Sequence, residues 1–221
     1  MGLGKQAKTL SKGQIDAMLG YLSTTRHPER NRLIFLLSVK AGLRAKEIAK
    51  LNWLMTNDSR GEIGYDICLL DSASKGRSGR RIPINSELRE ALIEYRKRVM
   101  NVAGHYVICT ERSRSTSPQA IVNMFQRWYR DLGFVGCSSH SGRRTFITNA
   151  ARKISTVGGS LKDVQELAGH TNLRTTQRYI DANPEAQVTD QNLTGQDFVL
   201  LSDIHIRHGG PAIPAVARFS L

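Results

Sequence analysis

Four short stretches place cationic or proton-carrying side chains where a helix or a hairpin begins. In AGLRAKEIAKL, Arg44 follows Gly42 at a helix start, where free backbone N–H groups and the helix dipole favour an anion. Glu47 lies three residues on, shares that face, and is placed to hold the guanidinium. The turn SKGRSGR carries Lys75, Arg77 and Arg80, with Arg81 directly after it. A basic turn between two strands is able to reach into a DNA groove. In HSGRRTF, His140 and Arg143 meet on one face of a helix N-terminus, and Arg144 follows. LAGHT supplies His170, with Tyr179 nine residues further along in TTQRYI. The chemistry common to these stretches is the recognition of an anion. Taken singly, each also has a plain structural reading. Arg44 with Glu47 reads as a solvated surface pair, the hairpin tip as a solvated turn, and HxxR as a chance pattern. His170 alone reads as a capping or packing histidine, and Tyr179 as a half-buried helix residue.

The elements that would carry these residues are mostly helical. Ser11 is an N-cap for a helix through QIDAMLGYL, with Ile15, Met18, Leu19 and Leu22 as its apolar stripe. ERNRLIFLLSVK is apolar nearly all round, which predicts a central helix, closed by Gly42 as the residue past its end. A further helix holds Ala45 to Leu51. EIGYDICLL predicts a strand, with RIPI returning as its hairpin partner. Ser86 is read as the cap of ELREALIEYRKRVM, YVICT as a short strand, and Pro118 as the start of AIVNMFQRWYRDL. GRRTFITNAARK, SLKDVQELAG and NLRTTQRYI are three more helices. The expected class is mainly α with a small antiparallel β-sheet (α+β).

Composition narrows the partner. The 221 residues carry 32 Lys and Arg against 19 Asp and Glu, a formal charge of +13. A balance this basic favours a polyanion, nucleic acid ahead of an anionic membrane surface. The charge is uneven: residues 185–221 contain four acidic and two basic residues and no lysine, so the excess belongs to residues 1–184. No apolar run is long enough for a membrane span, and the N-terminus lacks a signal-peptide core. Apolar residues make up 40% of the chain, which excludes disorder as the main theme. No GxxxxGK[ST] loop and no evident two-metal carboxylate set is present. Cys68, Cys109 and Cys137 form no zinc-ligand spacing; Cys68 and Cys109 sit in apolar strand-like runs and read as small buried hydrophobes. A reducing cytoplasm fits this cysteine usage.

Jointly and in this order, the motifs resemble the tyrosine recombinase family, also called phage integrases. The resemblance rests on GLR with an acid three residues later, a lysine in a hairpin ending R-x-P, H-x-x-R-R-T-F, L-x-G-H, and a tyrosine nine residues on. It spans about Thr9 to Asp181. Three departures stand beside it. The segment Lys153 to Ser160 is longer than usual, the separate N-terminal core-binding domain of the family is not seen, and the tail past Asn183 resembles nothing in the family pattern.

The resemblance implies a catalytic domain over residues 1–184 and a C-terminal tail over 185–221 exchanged between protomers, in which Phe198 to Leu201 form an apolar run. It implies a site-specific recombinase that cuts one strand of double-stranded DNA through a 3′-phosphotyrosyl intermediate, without metal, ATP or other cofactor. Tyr179 would be the nucleophile; a phenol of pKa about 10 needs a base or a cationic field to attack at neutral pH. Arg44 and Arg143 would clamp the non-bridging phosphate oxygens bidentately, with Glu47 in support. His140 would serve as acid and base, His170 would hydrogen-bond a phosphate oxygen, and Lys75 would protonate the departing 5′-oxygen. Lys75, Arg77, Arg80, Arg81 and Arg144 would contact DNA. A homotetramer on paired sites in a prokaryotic cytoplasm, associated with the nucleoid, is the implied setting. A DNA-binding protein of the same fold that no longer cuts, and a type IB topoisomerase-like enzyme, are the alternative readings.

Overall fold

Local signals set the first helix. Helix α1 (Lys12–Ser23) opens with Ser11 Oγ accepting the Gln14 N–H at 3.2 Å, while Gln14 Oε1 accepts the Ser11 N–H at 3.0 Å. This reciprocal cap satisfies two donors that the helix itself leaves open. The computed structural model describes residues 7–73, 79–99, 105–111 and 113–181. Helix α2 (Pro28–Val39) starts on Pro28 and buries every residue from Leu33 to Val39. It is therefore the central helix, packed against α1, α4 and α6. Its end is forced at Gly42 (φ 64°), whose N–H reaches Ser38 O at 3.1 Å. A Cβ at Gly42 would run into the Phe146 ring, so both the left-handed backbone and the close approach require glycine.

Helix α3 (Ala45–Lys50) follows at once. Strands β1 (Asp66–Leu69) and β2 (Arg80–Pro83) then pair antiparallel, with Ile67 opposite Ile82, Cys68 opposite Arg81 and Leu69 opposite Arg80. The strand expected over EIGYDICLL is thus shortened to four residues. Alternation puts Ile67 and Ile82 in the core and leaves Cys68 exposed, which corrects its reading as a buried hydrophobe. Helix α4 is Ser86–Val99, and its cap is Asn85, whose Oδ1 accepts the Leu88 N–H at 3.0 Å. Ser86 is the first helical residue rather than the cap. The strand expected at YVICT is replaced by an irregular stretch with isolated bridges, Asn52 to Tyr106 and Thr110 to Ser113. Val107 and Ile108 are nevertheless fully buried, so the apolar run reports burial and not strand pairing.

Helix α5 (Pro118–Asp131) is capped by Ser117 and buries Ile121, Phe125, Trp128 and Tyr129. Helix α6 (Ser141–Lys153) runs into a 3-10 turn, Ile154–Val157, closed by Gly158 at φ 77°. The long Lys153–Ser160 segment is accounted for by this turn. Helix α7 (Leu161–Ala168) begins with Ser160 and Asp163 capping each other and ends on Gly169 at φ 60°. Helix α8 (Leu173–Asp181) comes last among the described residues. Two hydrophobic clusters result. The larger is built from α1 to α5 and the hairpin, and the smaller from Ile147, Ala150, Ala151, Ile154, Val164 and Ala168 of α6, its turn and α7. The expected mainly helical class with one small antiparallel sheet is the class observed.

Candidate active site

Glu47 organises one side of the site. Its side chain is fully buried, a position a carboxylate holds only with partners. Oε1 accepts Arg44 Nη1 at 2.8 Å and Arg80 Nη1 at 2.9 Å; Oε2 accepts Arg80 Nη2 at 3.1 Å and the Arg44 N–H at 2.8 Å. Burial alone would raise the carboxyl pKa, but the Arg80 hydrogen bond and charge, with Arg44 behind them, pull it down to about 2. Arg80 also donates Nε to Leu167 O at 2.9 Å, which ties the foot of the hairpin to the end of α7.

Arg143 forms the other side. It lies in the first turn of α6 and is only 4% exposed. Nη1 donates to Gly42 O at 2.6 Å and Nη2 to Ala168 O at 2.5 Å, so two backbone carbonyls, one past the end of α2 and one at the last residue of α7, hold the guanidinium. Nη2 also lies 3.3 Å from His170 Nε2. A guanidinium has donors and no acceptor, so His170 Nε2 must present its lone pair. The ring proton is then on Nδ1, which donates to Thr176 Oγ1 at 2.9 Å. The neutral ring agrees with its electrostatics: burial first, then the Arg143, Arg44 and Arg80 charges, lower the His170 pKa to about 4. The Arg143 pKa is lowered as well, by burial first and then by Arg44. Since a guanidinium keeps its proton, that unfavourable field is relieved by an incoming anion.

These groups open onto one cavity of about 530 Å³, lined by Arg44, His140, Arg143, Arg144, His170 and Tyr179 together with Ala7, Ser138, Thr175 and Arg178. His140 is exposed at the N-cap of α6. The Tyr179 ring stacks on His170 with centroids 5.6 Å apart and planes 24° apart. The Arg144 guanidinium lies 5.8 Å from the Tyr179 ring centroid, within cation–π range. Five of the six residues expected to do chemistry, Arg44, His140, Arg143, His170 and Tyr179, therefore face one space. Lys75 and Arg77 lie outside the described residues, as does the tail with Phe198 to Leu201. Arg81 is exposed on β2.

Arg80 departs from its expected role. It was read as a DNA contact, but its side chain is 6% exposed and its donors are spent on Glu47 and Leu167 O. It braces the site from within. In the DNA-free structure His170 Nε2 accepts from Arg143 Nη2. Thr176 and Arg178 were not singled out from sequence. Thr176 lies one turn before Tyr179 on α8, and that helical spacing is the signal that finds it. Among the described residues, no group of His, Cys, Asp and Glu side chains gathers as a metal site would require.

A mainly helical domain that closes an arginine–histidine pocket around a single tyrosine is the class defined by this fold and site. The chain belongs to the Phage integrase family, whose pattern matches residues 8–186. The tyrosine recombinase XerA of Thermococcus onnurineus is 27% identical over 181 residues, covering 80% of this chain and 59% of that protein. The chain thus spans about three fifths of the length of such curated relatives. Its fold is shared with a crystal structure of XerA recombinase at a TM-score of 0.66 and 21% identity, covering 81% of this chain and 62% of that one. The XerH site-specific recombinase bound to its difH substrate in a pre-cleavage complex gives a TM-score of 0.62 at 20% identity, over 87% of this chain and 57% of that one.

Proposed function

We propose that this chain is the cutting and joining domain of a site-specific tyrosine recombinase acting on double-stranded DNA. The observation that carries the reading is the convergence of Arg44, His140, Arg143, His170 and Tyr179 on one cationic cavity. The Tyr179 hydroxyl attacks a backbone phosphorus, the bond from phosphorus to the 5′-oxygen breaks, and a 3′-phosphotyrosyl link forms. His140 accepts the phenolic proton, and Lys75 delivers one to the departing 5′-oxygen. Arg44 and Arg143 balance the charge on the non-bridging oxygens, held ready by Glu47 and by two backbone carbonyls. The phosphodiester energy is kept in the tyrosyl link, so a second 5′-hydroxyl reverses the step and seals a new junction. Pairing of two sites would use a tetramer, with residues 185–221 passing to a neighbouring protomer.

A suicide substrate tests this reading. A nicked duplex that loses its 5′-hydroxyl fragment should leave a covalent protein–DNA adduct on a denaturing gel. Tyr179→Phe should abolish the adduct while DNA affinity stays within a few-fold. DNA binding without an adduct in the wild type would favour the non-cutting reading, and an undiminished adduct in Tyr179→Phe would move the nucleophile elsewhere.

A further inference from the structure

Thr176 is a buried hydroxyl among exposed neighbours on α8. Its exposure is 0%, whereas Leu173, Arg174, Thr175, Gln177 and Arg178 around it are all exposed. Its Oγ1 lies 2.9 Å from His170 Nδ1, and the opposite ring nitrogen lies 3.3 Å from Arg143 Nη2. The Tyr179 ring stacks on that same imidazole from the next turn of α8. The nucleophile helix is thus joined to the phosphate clamp through one histidine and one hydroxyl.

Arg143 leaves His170 a single neutral form in this arrangement. With Nε2 accepting from the guanidinium, the proton sits on Nδ1 and the Thr176 oxygen accepts it. His170 is able to donate to a phosphate oxygen only with the proton on Nε2, and then Nδ1 needs a donor in its place. A threonine hydroxyl serves both forms, because it accepts from Nδ1–H or, after its O–H rotates, donates to the bare Nδ1. No proton is gained or lost overall, since Nδ1 releases one to solvent and Nε2 takes one up.

We propose that Thr176 is a positioning residue whose hydroxyl pairs with His170 Nδ1 in either tautomer and so lets the ring turn from acceptor toward Arg143 to donor toward the scissile phosphate. The donor half rests on the recombinase reading above; the pairing of Nδ1 with Thr176 stands on the DNA-free geometry alone. Thr176→Val keeps the shape and removes the hydroxyl, and Thr176→Ser restores it. In wild type and Thr176→Ser, nitrogen-15 NMR of the DNA-free protein should show His170 as one tautomer with a slowly exchanging Nδ1 proton. In Thr176→Val Arg143 should still hold the proton on Nδ1, but with its acceptor gone that proton should exchange rapidly. Adduct formation on the nicked duplex should fall about ten- to a hundredfold in the valine variant, the range seen when the outer partner of a functional histidine is removed. The serine variant should recover it, and DNA affinity should be unchanged in both. A single protected Nδ1–H in Thr176→Val, or a serine variant as impaired as the valine one, would overturn the proposal. If wild type forms no adduct, the recombinase reading fails and the NMR comparison still decides the pairing of Nδ1 with Thr176.

Discussion

Replacing Glu47 by glutamine keeps the volume and removes the charge that two arginines share. The carboxyl pKa falls from an ordinary 4.5 to about 2 in the folded protein. At roughly 1.4 kcal/mol per pKa unit that is about 3 kcal/mol of stability. Breaking a buried ion pair by removing one partner costs about 3–5 kcal/mol, so two routes agree. The amide would also turn N–H donors toward the Arg44 and Arg80 guanidinium groups, which offer no acceptor. In a domain of this size the unfolding temperature should drop by roughly 6–12 °C at pH 7.5. A carboxyl pKa depressed by folding contributes fully above pH 4.5 and loses its contribution as the pH falls toward 2. The gap between wild type and Glu47→Gln should therefore close over that window, as followed by differential scanning fluorimetry from pH 7.5 to 2.5. Equal melting temperatures at pH 7.5, or a gap that stays constant down to pH 2.5, would refute the reasoning.

The arginines should be intolerant of lysine: Arg44→Lys and Arg143→Lys keep charge but lose the planar fork, and single-turnover cleavage should fall roughly 100- to 10,000-fold. Activity equal to wild type in both would remove the clamp. His170 is held neutral, with its pKa lowered from 6.5 to about 4. The unfolded chain then takes up the proton first, so stability should decline as pH falls from 6.5 toward 4, and urea melts of His170→Gln should lack that component. Cleavage should persist in excess EDTA, because cationic side chains take the role of a metal; loss on chelation with recovery on adding magnesium would point to a metal-dependent nuclease.

What could be read in advance divides along physical lines. Helices α1 and α5 were legible because a cap, an opening proline and an apolar period are local signals: Ser11 caps α1 and Pro118 opens α5 as the residues themselves dictate. Ser86 against Asn85 was not decidable, since either side chain caps and the backbone chooses. The YVICT run was apolar enough for a strand, yet its neighbours supply only single bridges, and pairing is a tertiary fact. Among the residues that line the cavity, type and spacing in the sequence single out Arg44, His140, Arg143, His170 and Tyr179. Arg80 was misassigned although a signal existed: it shares strand parity with the buried Ile82, so it points inward while Arg81 points out. Glu47 is the buried partner that inward guanidinium finds.

The site lies on the seam between the two hydrophobic clusters, and this gives its residues separate cooperative fates. Arg44, Glu47 and Arg80 stand on the larger cluster, whereas Ala168, His170 and Tyr179 belong to the smaller one or border it. Arg80 and Arg143 stitch the seam through the carbonyls of Leu167, Ala168 and Gly42. Partial opening confined to α7 and α8 would carry away Tyr179 and His170 while the acid-braced Arg44 and Arg80 stayed folded. Opening energies in a protein differ between such units, with smaller clusters opening more readily. Tyr179 and the Arg44–Glu47–Arg80 brace thus share one site but are separable in folding, and on the recombinase reading proposed above a mutation that only weakens the small cluster would silence cleavage while leaving most of the domain intact.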